Sequence, residues 1–131
     1  MSDAAARIRE LHAADAIAAT LGIELLDAGS DCVRLQMAVD DRHVGWHGRC
    51  HGGVLFTAAD AAMSYVSNRE PGVAFAVQAS IDFLAGAELG DVVVIEGRET
   101  ANTGRAAVLD ATLSVEGRVI AAFHGTTRRA R

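Results

Sequence analysis

Gly53-Val-Leu-Phe-Thr-Ala-Ala-Asp-Ala-Ala-Met-Ser-Tyr-Val-Ser-Asn68 reads as one helix that is apolar on nearly every side, and such a helix has to be buried. Beyond it, Glu70-Pro71-Gly72 breaks the pattern. Val73, Phe75, Val77, Ala79, Ile81 and Phe83 then alternate with Gln78, Ser80 and Asp82 as the two faces of a long strand. Three more strand-like stretches follow near 91–102, 105–116 and 118–127, with turns at Asn102-Thr103-Gly104 and Glu116-Gly117-Arg118. Connections that short make neighbouring strands antiparallel. On the other side of the helix, residues 40–51 are polar and glycine-punctuated. Before them, Ile23 and Leu25, then Val33, Leu35, Met37 and Val39 after the turn-like Ala28-Gly29-Ser30-Asp31, predict a hairpin. Ile8, Leu11, Ile17 and Leu21 among many alanines, with Gly22 as a stop, predict one N-terminal helix over about 3–21. The order is an α+β fold, a curved antiparallel sheet wrapped around a long central helix.

The chain has 131 residues, 50% of them hydrophobic, with one proline, which suits a single domain over 1–131 and excludes disorder away from the ends. Every basic residue is arginine, yet 17 acidic residues outnumber the 12 basic ones and leave a net charge of -5. That balance excludes a nucleic-acid partner. Asp60 divides the best apolar run, Val54 to Val66, so no segment reaches the ~20 apolar residues of a membrane span. Acidic and basic residues interrupt the N-terminus where a signal peptide would be apolar, and only Cys32 and Cys50 carry thiols. The expected home is a reducing cytoplasm.

Asp60 is the costly residue. Apart from Thr57, its neighbours within three positions are apolar, so its carboxylate is expected to be desolvated and its pKa raised. Alanine there would favour the helix more. A structural role, bonded to Ser64 one turn on, is one reading; the other is a nucleophile or general base acting on an electrophile in an apolar slot. Phe56, Thr57 and Ser64 share its face.

Just upstream, His47-Gly-Arg-Cys-His-Gly-Gly53 puts a glycine pair at the start of the helix. Backbone N–H groups there, at the positive end of the helix dipole, form a candidate oxyanion hole; a tight packing turn is the plainer reading. Gly52 and Asp60 are eight residues apart on one helix, hence about 12 Å apart. They cannot serve one carbonyl, so the hole of one subunit is expected to face the carboxylate of another across a symmetric dimer.

His47 to Gly53, Phe56, Ala59-Asp60, Asn68 and the later Ser80-Ile-Asp-Phe-Leu84 resemble the hotdog-fold thioesterases, specifically the phenylacetyl-CoA (PaaI-type) branch. The resemblance runs from the N-terminal helix to the last strand. It implies hydrolysis of acyl-CoA with no cofactor, Asp60 as the acid, the Gly52 N–H as oxyanion donor, His51 positioning it, and Ser64 orienting the water or the carboxylate. Gly45, His47, Gly53, Phe56, Thr57 and Ser80 are the implied substrate-binding positions. A homotetramer built as a dimer of dimers is also implied. Three positions depart from the pattern: Gly45 and Ala14 stand where asparagines are common, and Ala85-Gly86 where an Arg-Pro pair is frequent. Loss of turnover with Gly45 would leave an acyl-thioester binding module, and a histidine paired to the acid would make a hotdog dehydratase.

His43, His47 and His51 are spaced by four beside Cys50, a metal-like pattern that the glycines at 45 and 48 interrupt; no metal is expected. Cys50 is read as a buried filler rather than a thiolate nucleophile, because adjacent residues seldom face each other. Trp46 and Tyr65 are candidates for an acyl pocket or an interface. Arg98, Arg105, Arg128, Arg129 and Arg131 are candidates for CoA phosphates, although a solvated basic tail is the commoner meaning of such a run.

Overall fold

The computed structural model describes residues 3–131. Its order is α1 (Asp3–Ala13), α2 (Ala16–Leu21), β1 (Ile23–Ala28), β2 (Cys32–Ala38), α3 (Gly52–Ser67), β3 (Ala74–Phe83), β4 (Val92–Asn102), β5 (Ala106–Val115) and β6 (Arg118–Arg129). The strands form one six-stranded sheet in the order β1-β2-β4-β5-β6-β3, with every pairing antiparallel. The sheet curves around α3 in the hotdog arrangement.

Leu55, Ala58, Ala59, Ala62, Met63 and Val66 of α3 are buried against Val33, Leu35, Ile95, Leu109, Leu113, Ala121 and Phe123 of the sheet. The close approach depends on glycine: a Cβ on Gly97 of β4 would stand 2.9 Å from that of Ala62. Asn68 ties the end of α3 to β3, its Nδ2 donating to the Ser64 and Ala74 carbonyls while its Oδ1 accepts the Ala74 N–H. What remains open on α3 is a stripe of Gly53, Thr57, Asp60, Ala61 and Ser64, at helical spacing.

Two expectations need correction. The N-terminal helix is two helices, broken at Ala14-Asp15, because Asp15 turns extended (φ -86°, ψ 100°) and its carboxylate accepts the N–H groups of Ile17 and Ala18. An aspartate with that option caps a new helix rather than continuing an old one. The break re-phases the segment and leaves Ile17 exposed. In β3 the alternation does not hold throughout, since a bulge between Ala76 and Gln78 changes the register and with it the face each residue presents. Ala74 is therefore buried, while Phe75 and Val77 are 63% and 57% exposed on an edge strand.

Candidate active site

Residues 44–50 form a small hairpin that delivers the chain to α3. Val44 bridges Cys50, Gly45 N–H donates to the Arg49 carbonyl, and Gly48 closes the tip with φ +82°. His51 then caps α3, its Nδ1 accepting the Gly53 N–H at 2.8 Å. That bond places the proton of the neutral ring on Nε2. His47 is held the same way, its Nδ1 accepting the Arg49 N–H at 3.1 Å. A Cβ on Gly45 would stand 3.3 Å from His47 Nε2 and 3.4 Å from His51 Cδ2, so the bare glycine lets the two rings gather there.

The two glycines of the helix start differ. Gly53 N–H is taken by His51, and the Gly53 carbonyl accepts the Thr57 hydroxyl. Gly52 N–H donates to nothing among the described residues. It lies at the positive end of the α3 dipole. Gly52 lines a groove of about 450 Å³ with His47, Arg49, Cys50, Leu55 and Phe83, floored by Leu84 to Gly86. The Phe83 ring lies so close over Gly52 that an added Cβ would meet it at 3.1 Å.

Asp60 is outside that groove, half-buried on the open stripe of α3. Its carboxyl pKa is raised, by burial first and by the negative Asp15 second. It makes no hydrogen bond or ion pair among the described residues, so the bond to Ser64 offered by the structural reading is not made. Ser64 is exposed and its hydroxyl makes no hydrogen bond among the described residues. Phe56 turns edge-on to Phe123 of β6 at 5.4 Å. The candidate residues thus fall into two separate halves of the single chain, Gly52 with His51, His47, Gly45 and Gly53, and Asp60 with Thr57 and Ser64.

Ser80 joins neither half. It pairs with His124 across β3 and β6 and lines a shallow depression with Asp82, Asp110 and Thr112, on the sheet face turned away from α3. Strand parity is the reason: Ala79 and Ile81 pack on the core, so Ser80 between them faces out. The arginines named for phosphate do not line the groove either; Arg129 instead bonds the carbonyls of Ser67, Glu70 and Pro71.

His43 is buried and fully used, with Nδ1 accepting the Asp40 N–H and Nε2 bonding the Leu21 carbonyl, so it braces the loop against α2. Burial pushes the Cys50 thiol up to about 11, which keeps it protonated at neutral pH. Sequence reasoning missed Asp15. Its Oδ2 accepts the Tyr65 hydroxyl at 2.7 Å, which sets a second carboxylate beside Asp60. The signal was an aspartate directly ahead of Ala-Ile-Ala-Ala within an over-long helix.

The thioesterase superfamily model matches residues 47–122. A protein of Deinococcus radiodurans named as an esterase is 32% identical over 114 residues, 86% of this chain and 77% of that one. The acyl-coenzyme A thioesterase PaaI of Escherichia coli is 29% identical over 116 residues, 88% of this chain and 83% of its own. The structure of the E. coli PaaI protein superposes with a TM-score of 0.94 at 27% identity, covering 98% and 94% of the two chains. A Streptococcus mutans protein bound to acetyl CoA gives a TM-score of 0.79 at 26% identity, over 82% and 88%.

Proposed function

The chain belongs to the thioesterase superfamily and is a thioester hydrolase, and on that premise we propose that it cleaves small acyl-CoA esters of the phenylacetyl kind at a site shared by two protomers. The observation that carries this reading is the Gly52 N–H, unengaged at the N-terminus of α3 and opening on the apolar groove. A thioester oxygen seated there gains negative charge as the carbonyl carbon is attacked, and the N–H and helix dipole stabilise it most at that moment. His51 and Gly53 fix the first turn so that this donor keeps its direction.

Asp60 of the facing protomer supplies the attack. As general base it takes a proton from water while the oxygen bonds to carbon; collapse of the oxyanion breaks the C–S bond, and the departing thiolate takes the proton. Direct attack by Asp60, giving a mixed anhydride that water then opens, uses the same groups. Weak solvation makes its carboxylate reactive, and Ser64, one turn away, orients the water. Thr57, bonded to the Gly53 carbonyl, stiffens the helix between the halves. Leu55, Phe83 and Leu84 suit an aromatic acyl group, and the E. coli relative named as PaaI favours the same class.

The dimer follows from the separation of Gly52 and Asp60, and the exposed Phe75 and Val77 on the β3 edge offer the surface. Pairs of dimers in a cytoplasmic tetramer complete the assembly. The test is free-thiol release from a panel of acyl-CoA esters by the wild type and by Asp60→Asn. Phenylacetyl-CoA turnover is expected to fall about 10²- to 10⁴-fold in the variant. Wild-type binding without thiol release would leave only a binding module, and enoyl hydration without it would point to a dehydratase.

A further inference from the structure

We infer that Arg49 is the residue that holds a phosphate of the CoA leaving group, and so sets the preference for CoA esters over shorter thioesters. The inference rests on the groove being the thioester site. Among the described residues Arg49 is the only arginine lining it, in a chain whose net charge of -5 otherwise repels a polyanionic substrate.

Its backbone is pinned on both sides, through the bridge from Arg49 to Glu88 and through Cys50 N–H donating to the Ala87 carbonyl. Its side chain lies across Gly86, where an added Cβ would come within 3.1 Å of Cδ and 3.4 Å of Nη1. Gly86 is therefore the shelf on which the guanidinium rests. Only Nε is engaged, with Glu88 Oε1 at 3.1 Å in an exposed pair. An exposed pair of this kind contributes little, and both terminal nitrogens, unpartnered among the described residues, are left to donate as a fork, the geometry that matches phosphate. The remaining paired arginines are engaged elsewhere: Arg7 with Glu10, Arg42 with Asp40 and Arg69 with Glu99. With the carbonyl at Gly52 and the acyl group on Leu55, Phe83 and Leu84, the flexible pantetheine arm leaves along Ala85 and Gly86, toward the rim where Arg49 stands.

The experiment compares phenylacetyl-CoA with the phenylacetyl thioester of N-acetylcysteamine, which has the same reacting bond and no phosphate, in the wild type, Arg49→Ala and Glu88→Gln. Arg49→Ala is expected to raise KM for the CoA ester about tenfold, with kcat held and a far smaller change for the short ester. Glu88→Gln, which releases the guanidinium, lowers KM for the CoA ester only. Equal effects of Arg49→Ala on both esters, or no effect on either, would overturn the inference while leaving the thioesterase reading intact. Binding of free CoA gives a readout independent of turnover. Trp46, the one tryptophan, is 97% exposed and packs on His47 of the groove at 5.6 Å, so its fluorescence follows the titration. Equal CoA affinity in wild type and Arg49→Ala would sink the proposal even if no ester were hydrolysed.

Discussion

A site divided between protomers predicts that two dead enzymes can make a live one. Asp60→Asn removes the attacking group and keeps the shape of the side chain. Gly52→Pro removes the oxyanion donor, and the backbone favours the exchange: residue 52 is the first of α3, where proline fits, and His51 at φ -63°, ψ 136° already has the conformation a following proline requires. Phe83, which a Cβ at position 52 would meet at 3.1 Å, has to give slightly, and at 54% exposure it has room to do so. Each variant alone is expected to be inactive. In a heterodimer the two lesions fall in the same one of the two sites, and the other site is wild type. Random pairing of equal amounts makes about half of the dimers mixed, so about a quarter of the wild-type sites return. The assay co-expresses the two with different tags, isolates mixed dimers by sequential capture, and measures phenylacetyl-CoA hydrolysis; the purified heterodimer should reach about half the wild-type rate per dimer. A heterodimer no more active than its parents would refute the shared site, and with it the inference drawn from eight residues of helix rise.

Four further outcomes follow from the structure. The Tyr65 hydroxyl bonds Asp15 at 2.7 Å with the ring buried, a bond to a half-exposed charge that contributes about 1.5 kcal/mol; urea unfolding of Tyr65→Phe, Asp15→Asn and the double variant at fixed protomer concentration should show coupling near that size, and simple additivity would count against it. The raised Asp60 pKa means that its contribution to stability is fully present below the ordinary carboxyl value of 3.8 and is lost as pH rises through the folded-state value. Asp60→Asn should therefore be the more stable protein at neutral pH, with the gap closing in acid, as thermal unfolding across pH would reveal. The same like charge predicts that Asp15→Asn lowers the Asp60 pKa and moves the acid limb of kcat/KM to lower pH, whereas an unmoved limb would mean the two carboxylates do not interact. Gly97→Ala sets a methyl 2.9 Å from the Ala62 Cβ; forcing α3 off the sheet should cost about 1–3 kcal/mol in denaturant unfolding, and activity should fall as both half-sites shift.

The fold was legible because its central helix has no polar face to present to water, and short turns left the strands few ways to arrange themselves. Boundaries of α3, β4, β5 and β6 fell within a residue or two of those expected, as hydrophobic period and turn residues direct. Asp15 was misread because helix period alone does not register a side chain that competes for backbone N–H groups, and that competition split one helix into two. The β3 face was misread because a bulge is a pairing event between strands, which alternation within one strand cannot reveal. In the site, the glycine pair was legible as a donor cluster, but which glycine stays free depended on where the His51 ring folds, and it folds onto Gly53.

The departures at Gly45 and Gly86 have a common physical basis. At each, the missing side chain leaves space that the hairpin 44–50 fills with one of its own: His47, with His51, gathers against Gly45, and Arg49 lies over Gly86. A larger residue at 45 would press on both rings, one of which caps the helix that carries the free N–H; a larger residue at 86 would lift the guanidinium from its shelf. On the proposed reading, the polar groups that the asparagine and the Arg-Pro pair would contribute are replaced by the His47 imidazole, whose Nε2 is left to donate, and by the Arg49 guanidinium, whose terminal nitrogens have no partner among the described residues. Both groups come from a single loop, bridged within itself and to residue 88, so the thioester contact and the nucleotide contact proposed for them would be mechanically joined. A substitution that loosens the hairpin tip at Gly48 should therefore weaken both together, whereas changes at Arg49 or His47 alone separate them.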